Sequence, residues 1–312
     1  MKESLFSISM LFFFIGMLFF PQKVFAGASD GLLLWFQIVL PTLLPFMILS
    51  NLLIHTDAIT YIARFLGPLI TTLFGTSKHG SFAVIVGFLC GYPMGAKVTA
   101  DLLKEGRIHF SESRYLLSFC NNTSPIFILS YMLWQNLDRK DLLAPTLIIL
   151  YGAPILTSFF FRRIYHIHGH SSQFFEQSRA TPSSSRTGFA LLDSCIMDGF
   201  STITKVGGYI ILFSILITLL KGLPFHSFFW NKIVLPSLEI TNGIPFLCQH
   251  THSFSLRYIL VLSLTSFGGW CSIAQTKCML NDTGISIIPY IAEKLLTTLV
   301  TSFFAIFYLF IY

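Results

Sequence analysis

The sequence predicts an all-helical, polytopic integral membrane protein, and three observations predict it. Of 312 residues, 54% are hydrophobic and 11% charged, where a soluble domain carries about a quarter charged. The apolar residues fall in runs long enough for spanning helices, which need about 20 residues each. Gly, Pro and short basic loops punctuate these runs and leave room for eight to ten helical segments.

The formal charge of +6 and pI near 9.0 do not point to nucleic acid, because the basic residues are scattered over short loops. Membrane topology accounts for them better. Cys90, Cys120, Cys195, Cys248, Cys271 and Cys278 lie in or beside apolar runs without CxxC or Cys/His zinc spacing, and read as small core residues.

Apolar runs bounded by breakers place segments at 5–20, 32–54, 58–75, 81–103, 114–134 and 142–161, then 188–220, 234–250, 258–276 and 288–311. Residues 1–26 form a first transmembrane helix. Lys2, the run Leu5 to Phe20 and Val24-Phe25-Ala26 also resemble a secretory signal, but the Phe-rich run ending at Pro21 favours a retained helix. Residues 27–161 and 188–312 are two repeats, joined by an Arg- and Ser-rich linker, 162–187. With that linker in the cytoplasm, the basic loop Lys104 to Arg114 also lies inside. Gly91, Ala96, Leu102, Gly106 and Leu117 recur 178 residues later as Gly269, Ala274, Leu280, Gly284 and Leu295. Alternation runs 81–103 inward and 258–276 outward, so the halves are expected to be inverted repeats with a site at their interface.

Four motifs carry the chemistry. Gly87-Phe-Leu-Cys-Gly91-Tyr92-Pro93-Met-Gly95-Ala-Lys97 spaces glycines four apart, which suits close helix packing, and Pro93 frees a backbone carbonyl. A broken helix is the natural reading, with a proline-kinked packing helix as the plainer one. Lys97 costs about 3 kcal/mol in an apolar run unless compensated. It either pairs with Asp101 one turn on or meets an anionic or carbonyl-bearing solute.

In Asn121-Asn122-Thr123-Ser124-Pro125, four polar side chains interrupt Leu, Ile and Phe. They suit the start of a half-helix whose amides and dipole favour an anion, or else helix–helix hydrogen bonding. Glu239-Ile-Thr241-Asn242-Gly243 holds the sole carboxylate of its apolar stretch. Such an acid is a proton or cation site, a lysine's partner, or an interface residue. Thr265-Ser266-Phe-Gly268-Gly269, closed by Gln275, supplies the fourth break. His166, His168 and His170 lack acidic or thiolate partners and read as solvated. No GxSxG, HExxH or P-loop pattern is present, so neither an enzyme, a cofactor nor a resident metal is called for.

In this order the motifs resemble the YlbJ-type sporulation integral membrane proteins, as does Leu34-Trp35 through Leu40-Pro41 to Leu44-Pro45-Phe46. The resemblance covers the chain from about residue 21. It implies nucleoside-recognition (Gate) domains similar to those of concentrative nucleoside transporters, an endospore-forming bacterium, and movement of dipicolinic acid from the mother cell across the outer forespore membrane. The chain and its linker are compact for that family.

The expected protein is a transporter with re-entrant or discontinuous helices around 87–97, 118–126, 239–245 and 266–275. Lys97, Asn121, Asn122 and Ser124 would engage the solute. Tyr92, Pro93, Thr123, Thr241, Asn242 and Gln275 would line the site, and Gly91, Gly95, Gly243, Gly268 and Gly269 would admit it to the backbone. Glu239 would couple a proton or cation. The partners are the bilayer and a small anion, with a homo-oligomer left open. The competing readings are a nucleoside or cation permease and a non-transporting assembly factor.

Overall fold

A computed structural model of the chain describes residues 2–56, 61, 64, 65, 67–167, 188–222, 224 and 227–311, with side chains from residue 7 onward. Most of the linker, including His168 and His170, lies outside the described residues. Every regular element described is helical, because unpaired backbone groups are too costly in hydrocarbon for any other open structure.

The helices are of two kinds. The long ones are α2 (Pro21–Ile54), α8 (Lys140–Ile164), α9 (Phe189–Leu220), a broken span over Phe254–Met279, and α14 (Ile287–Ile311). Helix α1 (Lys2–Phe19) precedes them, and Pro21 opens α2 directly after it. Among the described residues five helices are long and apolar enough to cross a membrane. A sixth counts if α3 (Gly67–Phe74) and α4 (Lys78–Cys90), bent by 94° at their junction, form one span. The chain is an integral membrane protein. Small residues let α2 pack against α9, since Gly27 and Gly31 of α2 abut the backbone of Ile215 and Ile211 in α9.

The short helices are α4, α5 (Met94–Lys104), α6 (Phe110–Cys120), α7 (125–137, π-helical over Phe127–Leu137), α10 (228–237), α11 (Ile240–His250), α12 (Phe254–Phe267) and α13 (Gly269–Met279). Helices α4 and α5 reverse at Gly91-Tyr92-Pro93, where Gly91 adopts φ +86°. Both outer ends of this hairpin lie together, because the amide of Ser77, just before α4, donates to Glu112 of α6 at 2.6 Å, and α5 joins α6 through residues 105–109. Helices α10 and α11 form a second hairpin. Lys232 of α10 donates to the carbonyl of His250 and to Thr251 Oγ1, which fixes its two outer ends together.

The hairpins enter from opposite ends. At one end of α8, Arg114 stacks over Tyr165, beside the first hairpin's base. At the other, Arg139 stacks over Phe254, beside the second's. A helix of 25 residues separates these ends by about 37 Å. Each tip meets a broken span. Gly91 lies against Ser124, between α6 and α7, and the carbonyl of Leu238 accepts from Cys271 N–H at 2.9 Å, beside the α12–α13 break.

The four discontinuities therefore occur at the expected motifs, but three topological expectations change. Segments 81–103 and 234–250, which the alternation of sides counts as spans although re-entrant or discontinuous helices are expected there, are re-entrant hairpins, since Gly91 to Pro93 and Leu238-Glu239 return the chain to its side of origin. Segment 258–276 consequently runs the other way, starting beside Arg139 and ending where Leu280 packs near Ala100 and Leu117. The 178-residue correspondence sets a hairpin turn, Gly91, against a span break, Gly269. The second hairpin turns at Leu238-Glu239, not at Gly269.

Candidate solute site where the broken helices meet

The two hairpin tips and two span breaks surround a cavity of about 100 Å³, room for several water molecules. Its walls include Gly91, Tyr92, Thr123, Ser124, Glu239, Thr241, Gly268 and Gln275, with residues of α2 and α9 such as Thr42 and Ile210. Sequence motifs as far as 184 positions apart, Gly91 and Gln275, are thus brought to one place. The N-terminal ends of α7, α11 and α13 open onto it through Ser124, Thr241 and Ser272. The helix dipoles at these ends put partial positive charge on the wall, although the amides of Thr241, Asn242 and Cys271 are already taken by Glu239 and by the carbonyl of Leu238.

Glu239 is 4% exposed and caps α11. Its carboxylate accepts from Thr241 N at 3.0 Å, Thr241 Oγ1 at 2.5 Å, Asn242 N at 2.8 Å and Asn242 Nδ2 at 2.9 Å. These four donors satisfy its two oxygens. Among the described residues no cation lies within ion-pair distance of it. The sequence alternatives did not include this capping role.

The other expected residues divide into walls and scaffold. Asn121 bridges three elements: it accepts from Ala96 N at 3.3 Å and donates to Thr276 Oγ1 at 3.0 Å and Tyr290 Oη at 2.9 Å. Thr123 donates to the carbonyl of Thr265 at 3.0 Å. Gly95 lies against the carbonyl of Cys120, Gly243 against that of Pro236, and Gly269 against that of Ser237. Asn242 reaches Ser214 of α9 at 2.9 Å. Pro93, Gly95, Lys97, Asn121, Asn122, Asn242, Gly243 and Gly269 do not line the cavity.

Lys97 sits elsewhere, with Nζ at 2.9 Å from both Asp101 and Asp198. Asp198 also accepts from Asn51, so the cluster ties the first hairpin to α9 and α2. Lys97→Met should lower stability by about 1–2 kcal/mol, less than for a fully buried pair because both carboxylates are partly exposed. Thermal unfolding in detergent checks this, and Asp198→Asn should cost less because Lys97 keeps Asp101.

Sequence reasoning missed Glu293 and Lys294, adjacent charges inside the apolar helix α14. Glu293 accepts from Tyr165. Lys294 is 1% exposed and donates to Asn122 Oδ1 at 3.0 Å and Tyr92 Oη at 3.2 Å. The signal was available, since charges are expensive in such a run.

Residues 36–134, from α2 through the first hairpin to α7, match the family model described as Gate, nucleoside recognition. The chain is similar to the sporulation membrane proteins. It is 29% identical, over an alignment of 306 residues covering 88% of this chain and 75% of the other, to the sporulation integral membrane protein YlbJ of Bacillus subtilis (strain 168). No solved structure matches significantly. The Gate segment contributes two of the four cavity-forming breaks, and the rest come from beyond it.

Proposed function

We propose that the chain is a membrane transporter for a small anionic solute, dipicolinate first, moved from the mother cell across the outer forespore membrane during sporulation. One observation carries the reading: two re-entrant hairpins and two broken spans place three helix N-termini around one cavity. Helix N-termini that face a cavity favour a carboxylate there. Similarity to a sporulation membrane protein supports the setting.

Glu239 adds a requirement. A dianion and a carboxylate repel strongly in a low-dielectric site, so a proton or cation must accompany the solute. Glu239 is the group we assign to that coupling.

The description of the matched family as nucleoside recognition favours a second reading, a nucleoside permease. Purified protein in proteoliposomes distinguishes them. Uptake of labelled pyridine-2,6-dicarboxylate, raised by an inward proton or sodium gradient, is expected. Uptake of uridine instead selects the permease, and uptake of neither returns the motifs to helix packing in an assembly factor.

A further inference from the structure

Lys294 is the feature that the cavity description leaves unexplained. Its ammonium is buried, and its two described hydrogen-bond acceptors, Tyr92 Oη and Asn122 Oδ1, are neutral. Among the described residues no carboxylate lies within 4.0 Å of it. An ammonium has three donors, and two neutral acceptors do not offset the loss of water. Buried charges are ordinarily paired, and in membrane proteins an ionisable residue facing the bundle interior marks a solute pathway.

Tyr92 stands between this cation and the cavity. Its ring lies 4.9 Å from Lys294 Nζ, and it lines the main cavity. It also lines a second space of about 10 Å³ with Asn122, Thr123, Tyr151 and Ser266. Its hydroxyl is held by Lys294 and by the carbonyl of Ser266 at 3.0 Å. The ring occupies room that only a glycine leaves, since a Cβ on Gly268 would sit 2.7 Å from Tyr92 Cζ. Lys294 is therefore one side chain away from the solute cavity, behind a residue on a hairpin tip.

We propose that Lys294, with Asn122, forms an anion subsite that a solute carboxylate occupies by displacing the Tyr92 hydroxyl. The carboxylate supplies the missing counter-charge, and Asn122 holds the ammonium in place. The subsite sets the preference for acids over neutral solutes of the same shape. The assignment deepens the transporter reading and rests on it.

The test uses full-length protein in detergent, with ligand protection against thermal unfolding as readout. The probes are pyridine-2,6-dicarboxylate, pyridine-2-carboxylate, succinate, uridine and the neutral isostere pyridine-2,6-dicarboxamide. Lys294→Met should weaken apparent affinity for the protecting carboxylate by about thirtyfold or more, the usual effect of removing one partner of a buried charge pair. It should leave affinity for the dicarboxamide the same or higher, and Lys294→Arg should recover part of the carboxylate preference. Tyr92→Phe, which removes the displaced hydroxyl, should tighten carboxylate binding.

If Lys294→Met weakens acid and amide equally, Lys294 is structural and the subsite is wrong. Protection of the wild type by succinate or the monocarboxylate but not by the dicarboxylate, lost in Lys294→Met, keeps the subsite and sinks dipicolinate as the solute. Protection by no carboxylate overturns the subsite, and protection by uridine alone overturns the anion reading with it.

Discussion

Glu239→Ala is expected to abolish solute uptake and to lower stability by about 3 kcal/mol, from a lost helix cap and buried donors left without an acceptor. Two backbone amides, one hydroxyl and one side-chain amide point at that carboxylate. Alanine removes all four acceptor contacts, and because Glu239 sits at a hairpin tip, the cavity wall frays with them. Glu239→Gln separates structure from coupling. Its amide oxygen still accepts from α11 while its charge is gone, so it should cost only about 1 kcal/mol. Uptake in the Gln variant should no longer respond to an imposed proton or sodium gradient. If it keeps a full gradient response, Glu239 is a cap and nothing more, and the coupling ion is bound elsewhere.

The features legible in the sequence were those that local chemistry decides. The polar run Asn121 to Ser124 cannot continue an apolar helix without partners, and Pro93 beside Gly91 kinks or breaks one, so the positions of the breaks were marked. The direction of the chain after each break did not. An apolar stretch such as 81–103 has the length of a span, and length is blind to whether its two halves run on or fold back. The sense is decided by long-range contacts, Ser77 with Glu112 in one hairpin and Lys232 with His250 in the other. Misreading 234–250 as a span then reversed everything after it.

The site was legible in the same uneven way. Motif residues that face the cavity, such as Tyr92, Ser124 and Glu239, stood out because they interrupt apolar runs. Lys97 and Lys294 raise the same physical objection, a cation in hydrocarbon, and Asp101 one turn away gave Lys97 an answer in sequence. The partners of Lys294 come from residues 172 and 202 positions distant, so no local pattern could supply them. The glycines fall between these cases. Their spacing announced a close contact but could not say with what.

What they contact yields the other large effect. A Cβ on Gly87 would lie 1.9 Å from the carbonyl oxygen of Cys120 and 2.9 Å from its carbon, and one on Gly95 would lie 2.6 Å from that oxygen. Both arms of the first hairpin thus close on one peptide group, at the last residue of α6 before the break. A flexible side chain could move aside, but this carbonyl is backbone, and Asn121 and Asn122 follow it directly. Gly87→Ala should therefore cost about 3 kcal/mol, near the upper end for overpacking, or prevent folding. Gly95→Ala should cost less, about 2 kcal/mol. A Cβ on Gly208, in α9, would meet no heavy atom within 4 Å. Gly208→Ala should be neutral or stabilising by up to about 1 kcal/mol through helix propensity. The three variants, compared by thermal unfolding at matched expression, test the hairpin contact itself. If Gly87→Ala melts like Gly208→Ala, α4 does not lie against the end of α6. The broken span would then no longer be wedged between hairpin arms, and the placement of Asn122 beside Lys294 would lose its support.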